Sequence, residues 1–103
     1  MKEETIKFET ADLAEKAGFV FQYTGYIPLN IPTQSLLQKW LREVYNINVY
    51  VQVGFAGDLY QYVIKWYDIA YKEQYGHGSK TYEQELEKGL QEALKLKIYE
   101  TEN

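Results

Sequence analysis

PTQSLLQKWLREVYNINVYVQV, residues 32–53, runs one amphipathic helix almost directly into one alternating strand, and its reading decides the fold class. Pro32 holds the residue before it in extended geometry, and the Thr33 hydroxyl is placed to accept from the open amides of a first helical turn. Leu36, Leu37, Trp40, Leu41 and Val44 then recur at spacings of three and four, while Gln38, Lys39, Arg42 and Glu43 turn away from that stripe. Asn46 tolerates the left-handed conformation that ends many helices. Beyond it the period drops to two: Ile47, Val49, Val51 and Val53 alternate with Asn48, Tyr50, Gln52 and Gly54, the pattern of a half-buried strand.

The next apolar run pairs back on this strand. Gly57-Asp58 suits a tight hairpin and sets Val53 opposite Tyr62, Val51 opposite Ile64 and Val49 opposite Trp66. A turn at Ala56-Gly57 instead moves the register by two and leaves the faces unchanged. Either way one face is apolar and aromatic, and the other carries Tyr50, Gln52, Gln61, Val63, Lys65 and Tyr67. Ile69 to Tyr75 either continues the second strand or forms a third after a bend. Gln74 to Ser79 has the composition of a flexible loop.

Thr81 opens the last helix, with Gln84 three residues on as in a capping box and Glu83 and Glu85 in the first turn. Its stripe is Tyr82, Leu86, Leu90, Ala93, Leu94 and Ile98, with Gly89 beside it where a missing side chain permits close approach. The tail from Glu100 to Asn103 is expected to fray. Upstream of the central stretch, Thr10 reads as the N-cap of a two-turn helix. Asp12 sits in its first turn, Leu13, Ala14 and Ala17 share a face, and Gly18 ends it. Residues 1–9 hold Ile6 and Phe8 in a charged context, a short edge strand or a loose arm. Phe19 to Tyr23 alternates as a strand could. Gly25, Pro28, Asn30 and Pro32 make residues 24–32 a connecting loop, held to the core by Tyr26, Ile27, Leu29 and Ile31.

A chain of 103 residues with ordinary hydrophobic content is one domain of modest core, here a core over about 32–98 with an N-terminal arm and short helix over 1–31. The absence of cysteine excludes disulfides, thiolate metal sites and a cysteine nucleophile, and suits a reducing cytoplasm. The first ten residues, MKEETIKFET, lack the apolar segment of a signal peptide, and no run approaches a membrane span. The expected setting is therefore cytoplasmic, with no membrane partner. A net charge of −4 opposes non-specific attraction to phosphate backbones.

Residues with chemical potential are sparse. His77, the single histidine, lies between glycines without an Ser, Asp or Glu constellation to orient it, so no catalytic residue is assigned. One histidine and scattered carboxylates do not make a metal site, and Gly76-His77-Gly78 lacks the remainder of either nucleotide-binding fingerprint, so no metal or cofactor is expected. Glu83, Glu85, Glu87 and Glu92, alternating with Lys88, Lys95 and Lys97, read as a solvated helix face. The unusual component is tyrosine, eleven residues in all. Tyrosine can bury its ring and keep its hydroxyl wet, which suits interfaces. The candidate interaction surface is accordingly Tyr50, Gln52, Gln61, Lys65 and Tyr67, against the simpler possibility of cross-strand pairs on a solvated face.

Two resemblances bear on these residues. The run PTQSLLQKWLRE, the strand NINVYV and the helix YEQELEKGLQEALKLK are similar to small proteins, of no established activity, encoded by bacteriophages and prophages of gut anaerobic bacteria. That likeness covers roughly residues 32–98; it implies a mobile-element setting and no site residues. The order helix, antiparallel strands, helix also resembles a double-stranded-RNA-binding domain in topology. Such a domain implies a basic cluster at the start of its last helix, where this chain has SKTYEQE.

The expectation from these readings is an α+β domain with an antiparallel sheet of two to four strands. Two main helices, near 33–45 and 81–98, cover one face, and a short N-terminal helix precedes them. The expected role is that of a non-enzymatic phage or prophage accessory protein acting by protein–protein contacts as a homo-oligomer. The alternative is a nucleic-acid-binding module, which needs Lys39, Arg42, Lys65 and Lys72 to form one patch.

Overall fold

The computed structural model describes residues 4–28, 30–54, 59–67 and 69–102. In chain order the elements are α1 (Phe8–Lys16), β1 (Tyr23–Thr24), β2 (Ile27–Pro28), α2 (Gln34–Tyr45), β3 (Ile47–Val53), β4 (Tyr60–Tyr67), β5 (Tyr71–Tyr75) and α3 (Tyr82–Glu102). β3, β4 and β5 form one antiparallel sheet in that order, and β1 and β2 make a separate two-residue pair. α2 and α3 pack on the sheet, and α1 packs on α3 rather than on the sheet. This is an α+β fold.

The central stretch folds as its pattern dictates. Thr33 caps α2, its hydroxyl accepting from the Leu36 N–H at 3.2 Å, and Asn46 ends the helix in the left-handed region at φ 57°. Burial along α2 is narrower than the apolar stripe. Leu37 and Leu41 are fully buried and Trp40 packs at the margin, whereas Leu36 and Val44 are half exposed. Leu37, Leu41, Ile47, Val49, Tyr62, Ile64, Leu90, Ala93 and Leu94 form the centre of the core. Fully burying one such leucine contributes roughly 1.5–3 kcal/mol, so this layer is the main source of stability. Gly89 permits a close helix-to-sheet approach, because a Cβ there would stand 2.9 Å from the Tyr62 Cβ and 3.1 Å from Val49 Cγ1.

The sheet register is the one two residues away from the Gly57-Asp58 pairing: Val53 faces Tyr60, Val51 faces Tyr62, Val49 faces Ile64 and Ile47 faces Trp66. A two-residue slip preserves the side-chain parity, so the assignment of faces stands. Both possible turns, Gly57-Asp58 and Ala56-Gly57, lie outside the described residues. Residues 71–75 form a third strand, paired to β4 with Val63 opposite Tyr75 and Tyr67 opposite Tyr71.

The segment after β5 is a continuation of the ladder with a bulge, not the loop its composition suggests. The Gly76 N–H donates to the Tyr62 carbonyl at 3.0 Å, while Tyr60 and Ser79 exchange both backbone bonds, at 2.8 and 2.9 Å. Three steps along one strand therefore match two along the other, which is one extra residue. α3 starts as expected, the Thr81 hydroxyl accepting from the Gln84 N–H at 3.2 Å, and runs past the expected fray point to Glu102.

The N-terminal third departs most from expectation. α1 begins after Lys7, and Thr10 is a fully buried helical residue rather than a cap. The arm before it is fastened to the start of α2: Ile6 N–H donates to the Pro32 carbonyl at 3.1 Å, Gln34 N–H donates to the Glu4 carbonyl at 2.9 Å, and Ile6 is buried. Phe19 to Tyr23 is a strand only at Tyr23. The Asn30 side chain occupies the backbone there, accepting from Gln22 N–H at 2.7 Å and donating to the Val20 carbonyl at 3.2 Å. Phe19 meanwhile packs tilted against Phe21 and edge-on to Trp40. Tyr26, expected to hold the connecting loop to the core, is fully exposed, and Ile31 is partly exposed. Leu29 lies outside the described residues.

Candidate interaction surface

Alternation along β3 and β4 sends Ile47, Val49, Tyr62 and Ile64 into the helices, so Tyr50, Gln52, Gln61, Lys65 and Tyr67 must share the opposite side. All five do, and among the described residues no helix covers them. β5 adds Tyr71, Glu73 and Tyr75 to the same face by its pairing with Tyr67, Lys65 and Val63. Those three carry the period-two signal in the sequence, but their polarity hid it.

The geometry of the face is ordered from its centre. Val63 lies on it between Tyr50 and Tyr75 and is 0% exposed, although it faces away from the helices. Its cover comes from the side chains around it on the open side. Lys65 Nζ stands 5.4 Å from the centre of the Tyr50 ring, a cation–π distance. Tyr71 and Tyr75 both donate their hydroxyls to Glu73, at 2.5 and 2.6 Å. Gln52 donates across the strands to Gln61 at 3.0 Å, and Gln61 donates to the Gly76 carbonyl at 2.9 Å. The Tyr67 and Tyr71 rings meet at 5.1 Å, with Tyr67 two-thirds exposed.

These contacts shift the titrating groups in consistent directions. The two tyrosine hydroxyls hold the Glu73 carboxyl below the usual carboxylate range. The hydrogen bond to Glu73 in turn raises Tyr71 and Tyr75 above the ordinary phenol value. Tyr50 beside Lys65 raises the ammonium. The face thus presents four tyrosines, amide side chains and one charge of each sign.

The basic patch required for nucleic-acid binding does not form. Lys39 and Arg42 lie on α2, Lys65 on the tyrosine face, and Lys72 opposite Trp66 on the other side of the sheet. At the start of α3, Lys88 Nζ donates internally to Ser79 Oγ at 2.9 Å. His77 is exposed, and among the described residues no three of His, Cys, Asp and Glu come together as metal ligands.

Two acidic residues assigned to a solvated helix face are in fact buried. Glu85 is 0% exposed and accepts from the Tyr62 N–H at 2.9 Å and the Ser79 hydroxyl at 2.7 Å. Lys88 donates into the Ser79 oxygen and that oxygen donates onward to Glu85, so the serine links the two charged side chains. Glu87 accepts from Lys7 N–H at 2.7 Å, from Gln34 Nε2 at 2.9 Å and from the Thr10 hydroxyl. It stands at the positive end of α1 and satisfies the N–H of the N-cap residue Lys7, whose own side chain makes no capping bond. Both carboxylates therefore join elements to one another.

Compared with models of known protein families, with curated proteins and with solved structures, the chain matches none of them. No helix among the described residues is long and apolar enough to cross a membrane.

Proposed function

We propose that this chain is a non-enzymatic accessory protein that works by protein contact, docking through the open tyrosine face of its sheet, with a second copy of itself as the first partner. The main support is the face itself: Tyr50, Tyr67, Tyr71 and Tyr75 surround a fully buried Val63 where no helix covers the sheet. Lys65 and Glu73 sit opposite each other in the register, so two faces related by a two-fold axis can set each lysine against the other copy's glutamate.

Size sets the expected strength. Three strands of this length present roughly 300 Å² from strand spacing and rise, less than half of what each partner gives to a standard stable interface. A weak, reversible association is the consequence. The likeness of residues 32–98 to small phage and prophage proteins suggests a mobile-element setting for such an adaptor.

Light scattering across a range of concentration and salt tests the reading. A mass that rises with concentration in the natural chain, and stays monomeric in Tyr67→Asp with the fold retained, supports it. A strict monomer at all concentrations removes the second copy as partner, and association that Tyr67→Asp leaves intact removes this face.

A further inference from the structure

A different surface, built from α1 and the β1–β2 turn, gathers aromatic and acidic side chains. Phe8, Asp12 and Glu15 lie on one side of α1, and the chain returns past them with Phe21, Tyr23 and Tyr26. Together these residues line a pocket of about 120 Å³. Tyr26 is fully exposed and Phe8 nearly so, which folding alone does not account for. The Phe21 and Tyr23 rings stand 6.3 Å apart, and the Tyr23 hydroxyl donates to Glu15.

The geometry points to a cage for an organic cation: the ammonium, methylammonium or guanidinium head of a Lys or Arg side chain on a partner polypeptide. Aromatic faces attract cations through their quadrupoles, and quaternary ammonium recognition uses such cages. Two carboxylates line this one and no lysine or arginine does. An ammonium is already drawn to the rim, since Lys16 Nζ lies 3.4 Å from Asp12 in an exposed pair that solvent can exchange. An apolar ligand is disfavoured, because it would strip water from both carboxylates without replacing it.

Volume decides between a whole ligand and a head group. At about 120 Å³ the pocket is well short of the roughly 300 Å³ or more of a cofactor pocket. The ligand must therefore extend beyond the pocket, as a side chain protruding from a larger surface does. The proposal is independent of the tyrosine face, which lies on other elements.

NMR titration of the full chain tests it. Choline is compared with its uncharged isostere, in which a quaternary carbon replaces the nitrogen. Saturable shifts at Tyr23 and Tyr26 are expected with choline, and binding about tenfold weaker or absent with the isostere. N-acetyl methylamides of lysine, trimethyllysine and arginine then identify the head group by which binds tightest, with norleucine as the neutral control. Tyr26→Ala and Glu15→Gln should each weaken binding at least about fivefold without changing the unfolding midpoint, since both residues are exposed. Equal binding of choline and its isostere, shifts that survive Tyr26→Ala, or no saturable shift with any of the cations overturns the proposal.

Discussion

The carboxylate of Glu85 takes the backbone N–H of Tyr62 at 2.9 Å, a hydrogen bond from the middle of a strand to the side chain of a helix 23 residues away. It forms where the extra residue between Gly76 and Ser79 interrupts the ladder and leaves the Tyr62 amide without a backbone acceptor. The buried acid thus stands in for a missing carbonyl. Glu85→Ala should cost about 3 kcal/mol, since it strands a buried amide and the Ser79 hydroxyl together, and Glu85→Gln, which keeps an acceptor oxygen, markedly less. Urea unfolding of the two variants checks the order; equal losses would mean that the hydrogen bond to Tyr62 is not what the acid contributes.

The same carboxylate dictates the residue at position 76. A Cβ on Gly76 would run into Glu85 Oε2 and the Tyr62 ring, both held by other contacts. Gly76→Ala is therefore expected to destabilise by about 2 kcal/mol through overpacking. If thermal or chemical unfolding of Gly76→Ala coincided with that of the natural chain, the bulge would be looser in solution than this packing allows.

Glu87 gives a parallel test in the other half of the molecule. Thr10 donates to it, and Gln91 Nε2 donates to the Thr10 oxygen at 2.9 Å, so one buried hydroxyl serves two partners. Thr10→Val keeps the shape and removes the hydroxyl, and should cost about 1–3 kcal/mol by leaving a buried acceptor and a buried donor short of partners. Thr10→Ser should recover most of it. A Thr10→Val variant as stable as the natural chain would show that these two hydrogen bonds are not what the hydroxyl contributes.

The α2–β3 core was legible because its two periods, 3.6 and then 2, report burial directly from neighbouring residues. The candidate surface was legible for the same reason: parity alone put Tyr50, Gln52, Gln61, Lys65 and Tyr67 together, and a two-residue register error could not separate them. Glu85 and Glu87 were not legible. In a helix of alternating acids and bases they look solvated, and their burial is decided by Tyr62, Ser79, Thr10 and Lys7, the last two 77 and 80 residues away in the chain. The alternation of Phe19 to Tyr23 left a strand open for a similar reason, since the side chain of Asn30, and not a pairing strand, takes the backbone of Val20 and Gln22. Exposed Tyr26 broke the rule that aromatics hold loops to cores, and it is the residue on which the proposed cation cage depends.

The cluster of Glu73 with Tyr71 and Tyr75 sets the pH range over which the tyrosine face keeps its form. Glu73 has its folded pKa depressed, so its contribution is present above the ordinary carboxylate value and disappears as pH falls through the folded one. Tyr71 and Tyr75 are raised, so theirs is present below the ordinary phenol value and disappears as pH rises through the folded one. Between those limits the face holds its hydrogen bonds. Carbon NMR of the Glu73 carboxyl should show a midpoint below that of the same residue in the urea-unfolded chain. Tyr71→Phe and Tyr75→Phe should each raise it toward the unfolded value, with the double variant closest. A Glu73 midpoint that ignored both substitutions would show that the two tyrosine hydroxyls do not rest on it in solution. Self-association by this face should then follow the same titration, weakening at acid pH in the natural chain as Glu73 takes up its proton and the two hydroxyls lose a charged acceptor.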